Sequence, residues 1–204
     1  MLLFEMTENG ELHGAFRRQA ADAIRRQHYL RSVPSGKSYF VSYDSAIVVW
    51  SIPANNNVST FLIGKPNVVW ELSRLWAPDG HRGNLLTEAI AFAVRFLKRA
   101  EPQCGAVVSY ADPNVGHHGG VYRAASWMRC GQCEESRYYV RPDGTTTSRR
   151  SFHSGDTGST KAEVYARGVR ELRKPGKLRF AHPLQRWARR ELEKRFSASV
   201  DCPG

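Results

Sequence analysis

The sequence predicts an α/β protein with a mixed central β-sheet flanked by helices. Short runs rich in β-branched and aromatic residues alternate with longer segments whose apolar residues recur at helical spacing. Two apolar runs, Val68–Trp76 and Gly105–Val108, enclose one helical segment, the pattern of neighbouring parallel strands joined by a crossover helix. A length of 204 residues suits a single domain, since domains run to about 100–200 residues, and it can bury a core without cross-links.

Each element has its own reason. Residues 11–31 carry Leu12, Phe16, Ala20, Ala23 and Ile24 roughly on one face, with Arg17, Arg18, Arg25 and Arg26 off it, which predicts a helix. Residues 31–37 read as a loop by composition. Residues 39–43 and 46–52 read as paired strands around Asp44-Ser45, closed by Pro53-Ala-Asn-Asn-Asn57. Strand 68–76 should alternate, putting Leu72, Arg74 and Trp76 on one face and Glu71, Ser73 and Leu75 on the other. A helix over 84–99, a strand over 105–111, a helix over 118–127 and a strand over 136–140 follow. Residues 143–160 are rich in Thr, Ser and Gly and predict a flexible loop. Thr160-Lys-Ala-Glu163 resembles a capping box opening a helix to about Arg173. A last strand over 178–181 and a basic terminal helix over 183–196 complete the chain, with no internal repeat or marked domain boundary.

Composition narrows the functional classes. The formal charge of +11 is uneven: residues 141–204 hold 15 Lys/Arg against 7 Asp/Glu, a net of +8, while residues 1–140 hold 15 against 12, a net of +3. A basic cluster of this kind fits a polyanionic partner, because phosphate contacts release counterions. No apolar run approaches the about 18 residues of a membrane span. The start has no basic segment ahead of an apolar one, so no secretion leader is expected. Four cysteines (Cys104, Cys130, Cys133, Cys202) at irregular spacing suit a reducing cytoplasm.

The chemistry concentrates in Ser109-Tyr-Ala-Asp-Pro-Asn-Val-Gly-His-His-Gly-Gly-Val-Tyr122. These residues leave the carboxyl end of a central strand, where ligands of α/β proteins settle. Asp112 reads as a base or substrate-orienting acceptor, or as a carboxylate capping the following helix. Tyr122 reads as a phenol placed to protonate a leaving group, or as an aromatic of the helix face. Arg74, in an otherwise apolar strand, reads as an anion or carbonyl clamp, and burial makes Asp112 its expected partner. Ser109 joins these three as a catalytic candidate. His117 and His118 with Cys130 and Cys133 would be the residues to hold a metal. A lone CxxC without its mate does not make such a centre, so no metal is expected.

Glu71-Leu-Ser-Arg-Leu-Trp76, Val108-Ser-Tyr-Ala-Asp112 and Gly116-His-His-Gly-Gly-Val-Tyr122-Arg-Ala-Ala-Ser-Trp127 together resemble the phage DNA-modification family Mom. Gln27-His28-Tyr29 through Gly36 is similar to that family's His-rich loop, and the resemblance covers roughly residues 20–185. It implies the Gcn5-related N-acyltransferase (GNAT) fold and an enzyme that converts adenine in DNA to its N6-carbamoylmethyl form, which defeats host restriction. It also implies that Asp112, Tyr122, Arg74 and Ser109 carry catalysis and that His28, Tyr29 and Tyr110 contact the adenine. Trp76 and Trp127 are further stacking candidates.

Acyltransferases of that fold hold the coenzyme A pyrophosphate in a Gly-rich turn. Here the turn is Asp79-Gly-His-Arg-Gly-Asn84, which keeps one Arg-Gly pair and lacks the second glycine or alanine, leaving Arg82, Gly83 and Asn84 as cofactor-binding candidates. Two donors therefore stay open, an acyl-coenzyme A and an activated glycine such as glycyl-tRNA. The expected partners are DNA and, with the second donor, tRNA. Two other readings compete: a coenzyme A-dependent N-acyltransferase acting on a protein or small molecule, and a nucleic-acid-binding module without chemistry.

Overall fold

A computed structural model describes residues 10–148 and 161–197. Its elements are α1 (Gly10–Gln27), β1 (Ser38–Tyr43), β2 (Ala46–Ser51), α2 (Val58–Ile63), β3 (Val69–Trp76), α3 (Leu85–Ala100), β4 (Ala106–Ala111), a 3-10 turn (Pro113–Val115), α4 (Gly120–Ala124), β5 (Met128–Gln132), β6 (Ser136–Val140), β7 (Thr146–Ser148), α5 (Lys161–Ala166), β8 (Arg170–Lys174), β9 (Leu178–Pro183) and α6 (Arg186–Phe196). They form two compact units. The first holds the chain up to Tyr110, Gly119–Gly131 and the chain from Arg179; the second holds Ala111–His118 and Gln132–Leu178.

The first unit is built on a six-stranded mixed sheet in the order β1-β2-β3-β4-β9-β5. β1, β2 and β3 run antiparallel, and β3 pairs with β4 in parallel across the α3 crossover, as the two apolar runs imply. One face carries α1, whose Ala20, Ala21 and Ile24 meet Phe40, Ile47 and Val49. Farther along that face α2 and α6 cover Val69, Ala106 and Val108. The opposite face carries α3: Trp50 donates its indole N–H to Ala93 O (3.1 Å), and Tyr39 and Tyr43 meet Phe96 and Phe92. These buried aromatic and aliphatic side chains supply the core, each worth about 1.5–3 kcal/mol on full burial.

β3 does not keep the simple alternation expected of it. Arg74 lies opposite Val49 but Leu72 lies opposite Trp50, so Ser73 is an extra residue at a bulge. Its hydroxyl donates to Val49 O (3.1 Å). A bulge shifts the facing of everything beyond it. Glu71, opposite Ser51, therefore shares a face with Arg74 and Trp76, which oppose Val49 and Ile47, and Leu72 takes the other face.

The second unit is a three-stranded antiparallel sheet in the order β7-β6-β8 around Tyr139 and Val169. Glu171 pairs with Arg137 and Arg173, and Lys174 stands over the Tyr138 ring. At Gly176 a Cβ would sit 1.9 Å from Cys133 O, so only glycine lets those two segments touch.

Several expectations are corrected. The helix expected to reach Arg173 ends at Ala166; Gly168 takes a left-handed φ of 77 and the next residues form β8. The helix expected over 118–127 is only Gly120–Ala124, since Gly119 (φ 76) and Ser126 (φ 59) break it at both ends. α2 and β5 form where no element was expected, and Thr146–Ser148 is a strand inside the expected loop. The rest of that loop, residues 149–160, lies outside the described residues, as does Thr160 of the capping box. Among the described residues no helix is long and apolar enough to cross a membrane.

Candidate active site

The parallel ladder between β3 and β4 stops early. Its register runs Val69↔Ala106, Trp70↔Val107 and Glu71↔Val108, although β3 continues to Trp76 and β4 to Ala111. Where the next backbone pair would form, a side chain takes over: Ser109 Oγ lies 2.8 Å from Leu72 O and 2.7 Å from the Tyr122 hydroxyl. A carbonyl can only accept, so the Ser109 proton goes to Leu72 O while Tyr122 donates to Ser109 Oγ. If Ser109 rotates its proton to Tyr122 instead, the phenol is free to donate elsewhere.

Tyr122 is well held for such a role. It is 7% exposed, with its ring against Trp127 (5.4 Å) and Phe180 (5.3 Å). The left-handed Gly119 lets the chain pass Phe180 closely; a Cβ there would lie 2.2 Å from that ring. Burial pushes the phenol pKa up to about 12, only partly offset by the Ser109 hydrogen bond and reinforced by Tyr29 and Glu71. At neutral pH it is a neutral proton donor.

Arg74 is half-buried, and its three hydrogen bonds end on neutral oxygens: Nε to Ser32 O (2.7 Å), Nη2 to Ser32 Oγ (3.0 Å) and Nη1 to Ser73 O (2.5 Å). Its expected partner was Asp112; the structure gives it Ser32 instead. Burial lowers its pKa, opposed by Tyr29 and Glu71, but a guanidinium stays charged. These bonds tie the loop after α1 to the bulged part of β3. That loop presents His28, 6% exposed, whose Nδ1 accepts from Leu30 N–H (3.1 Å). Tyr29 stacks loosely beside it at 4.5 Å and is 41% exposed. Tyr29 and Glu71 both act electrostatically on Arg74 and on Tyr122, which draws these four and Ser109 into one neighbourhood.

Other candidates lie elsewhere. Tyr110 points to the opposite face from Ser109, packed against the cluster under α2 and α6 with the Arg179 guanidinium 6.0 Å from its ring. Trp127 is 5% exposed core stacked on His182, and Trp76 packs under α1. Arg82 is exposed and holds Glu88 with both arms of its guanidinium (2.7 and 2.5 Å). Gly83 and Asn84 lead into α3, where Asn84 is the N-cap without a side-chain cap bond.

In the second unit Asp112 is 5% exposed. Its Oδ1 accepts from Asn114 N–H (3.0 Å) and Asn114 Nδ2 (2.9 Å), and Oδ2 pairs with Lys177 (3.6 Å). It caps the 3-10 turn Pro113–Val115 rather than α4. His117 and His118 are exposed there, Cys133 is half-buried, and Cys130 is buried in the first unit. Among the described residues no three His, Cys, Asp or Glu stand together in a metal-holding group.

Sequence reasoning missed Ser32 and Glu71. The first is a bland loop serine, and the second was assigned to the wrong face because the bulge depends on register with β2.

The family model described as the Mom protein family matches residues 12–198. A protein of Escherichia phage Mu named methylcarbamoylase mom is 28% identical over 125 residues, which is 60% of this chain and 51% of that protein. The matched region thus spans about half the length of this curated relative.

Proposed function

The chain belongs to the Mom protein family, and on that premise we propose that it is a DNA-modifying transferase converting adenine to its N6-carbamoylmethyl form, guarding phage DNA from restriction. The observation that carries the reading is the Tyr122–Ser109 pair at the point where β3 and β4 cease to bond. A parallel strand pair opened halfway, with a neutral phenol beside the opening, suits a GNAT-like acyl transfer. The backbone groups beyond Glu71 can receive an extended acyl donor.

Adenine N6 attacks the activated carbonyl carbon, and the Arg74 guanidinium faces the oxyanion that forms. Tyr122 gives its proton to the departing oxygen or sulfur as the carbonyl re-forms, with Ser109 turning its own proton toward the phenolate. To expose N6 the base must leave the duplex stack or be unpaired, and the exposed Tyr29 ring offers it a platform. The net +8 of residues 141–204 supports a nucleic-acid substrate.

The donor is an activated glycine, of which glycyl-tRNA is one form. Glycyl-N6-adenine and carbamoylmethyl-N6-adenine are isomers. The free glycyl amine attacks C6 and expels the former N6 as the amide nitrogen, so no atom is gained or lost. This accounts for a CH2 on the ring nitrogen, which simple acylation does not give.

The test is expression of the full chain in a bacterium, followed by digestion of host DNA to nucleosides and mass spectrometry. A deoxyadenosine bearing one carbamoylmethyl group is expected; unmodified DNA would remove the reading. Purified protein incubated with DNA and either glycyl-tRNA or acetyl-coenzyme A then separates the donors. Product from acetyl-coenzyme A alone would turn the assignment to a coenzyme A-dependent acyltransferase.

A further inference from the structure

The bulge at Ser73 brings a carboxylate to the site that simple alternation would have sent away. Glu71 and Arg74 share one face of the sheet because of it. Glu71 is also the last residue of β3 that pairs with β4. The next residue, Leu72, holds Ser109 through its carbonyl, and Ser109 holds Tyr122. Glu71 is half-buried, which leaves its acid group within reach of a ligand in the opening. The groups that act with it are Arg74 on its own strand, Tyr29 after α1 and Tyr122 on α4. Asp112 differs: both its oxygens are engaged, by Asn114 and by Lys177, in the turn that it caps.

We propose that Glu71 is the general base of the transfer, accepting the N6 proton of adenine. This rests on the adenine-transferase reading above. The N6–H bond breaks as the N6–C bond forms, and the carbonyl pair moves to oxygen. That pair returns as the bond to the leaving oxygen or sulfur breaks. The N6 proton ends on Glu71 and the Tyr122 proton on the leaving atom. Glu71 then returns its proton to the Tyr122 phenolate through solvent, and the enzyme is regenerated.

The experiment compares the wild-type full chain with Glu71→Gln and Asp112→Asn in single-turnover modification of DNA across pH. The wild type should lose rate on the acid side as its base is protonated. Glu71→Gln should lose about 100-fold or more, as removal of a general base does, with DNA binding unchanged and no acid limb in its residual rate. Asp112→Asn should keep the acid limb. Wild-type rate in Glu71→Gln, or an acid limb kept there and lost in Asp112→Asn, would overturn the assignment. If Glu71→Gln fails to fold by circular dichroism, Glu71→Asp is used: a lower kcat at unchanged KM is expected, and an unchanged kcat counts against Glu71. A wild type that modifies no adenine would instead defeat the transferase reading itself, before any variant is compared.

Discussion

Two polar clusters in the first unit draw on the same three side-chain types, a carboxylate, a tyrosine and a base, and use them differently. At the end of α3 the buried Glu101 accepts from Lys37 Nζ (2.5 Å) and the Tyr39 hydroxyl (2.7 Å) on one oxygen, and from Gln103 Nε2 (3.1 Å) on the other. Tyr39 stacks on Trp70 at 5.1 Å, and the Lys37 ammonium stands over both rings. Each charge there is answered by contact. At the β3–β4 opening Arg74 bonds only neutral oxygens, Tyr122 meets a hydroxyl, and Glu71 acts on both through space. The first cluster closes on itself and holds the fold. The second leaves charge and a proton in place for something that arrives.

The largest test of that contrast is Tyr122→Phe. The ring keeps its packing against Trp127 and Phe180, and Ser109 keeps its bond to Leu72 O, so the melting temperature should barely move. The rate of DNA modification should fall about 100-fold or more, the usual loss of a general acid. The wild-type profile adds a sign. An acid must be protonated to act, and a phenol pushed up to about 12 stays protonated, so no alkaline loss from Tyr122 should appear at ordinary assay pH. A variant that modifies DNA at the wild-type rate would dissolve the contrast between the two clusters.

How much of this could be read in advance depends on how local each cause is. β1, β2, α3 and the parallel β3–β4 pair follow from local periodicity and one crossover, and the sequence shows both. β5, Met128–Gln132, has no such pattern; its strand form comes from neighbours in the sheet. The stretch 170–174 looked helical because its charges are spaced that way, yet Glu171 is satisfied across β6 by Arg137. Ser109 and Tyr122 were legible because both lie in one short motif. Their mutual hydrogen bond, the service of Ser32 to Arg74 and the facing of Glu71 depend on strand register and a loop closure, which no single segment encodes.

Glu101→Gln probes the closed cluster and should act on stability alone. Burial by itself would raise the Glu101 pKa, but the hydrogen bonds from Lys37 and Tyr39 and the Lys37 charge outweigh it and hold the carboxyl below its usual range. A depressed folded value means the contribution is present above the unfolded pKa of about 4.3 and fades as pH falls through the folded one. Loss of charged hydrogen bonds should cost about 1–2 kcal/mol at pH 7, read by urea denaturation, and the penalty should shrink in acid. DNA modification per folded molecule should be unchanged. A selective loss of rate would mean that the two clusters are coupled.

The smallest effect concerns Arg82, expected from the sequence to hold a donor phosphate and found bonded to Glu88. That pairing, helped by the Tyr43 hydroxyl, holds the Glu88 carboxyl down at about 2. Any stability the exposed pair adds is present above about 4.3 and lost as pH falls through that lower value. Arg82→Gln should let Glu88 titrate near the ordinary range, which a carbon NMR titration of the carboxyl can follow, with no measurable change in melting temperature. The same signal tests the donor site in the wild type. A phosphate that recruits Arg82 must displace Glu88, so saturating glycyl-tRNA or acetyl-coenzyme A would raise the Glu88 midpoint. A midpoint that stays at about 2 with either donor bound would take Arg82 out of the donor site and make it, like Lys37, a residue that serves the fold.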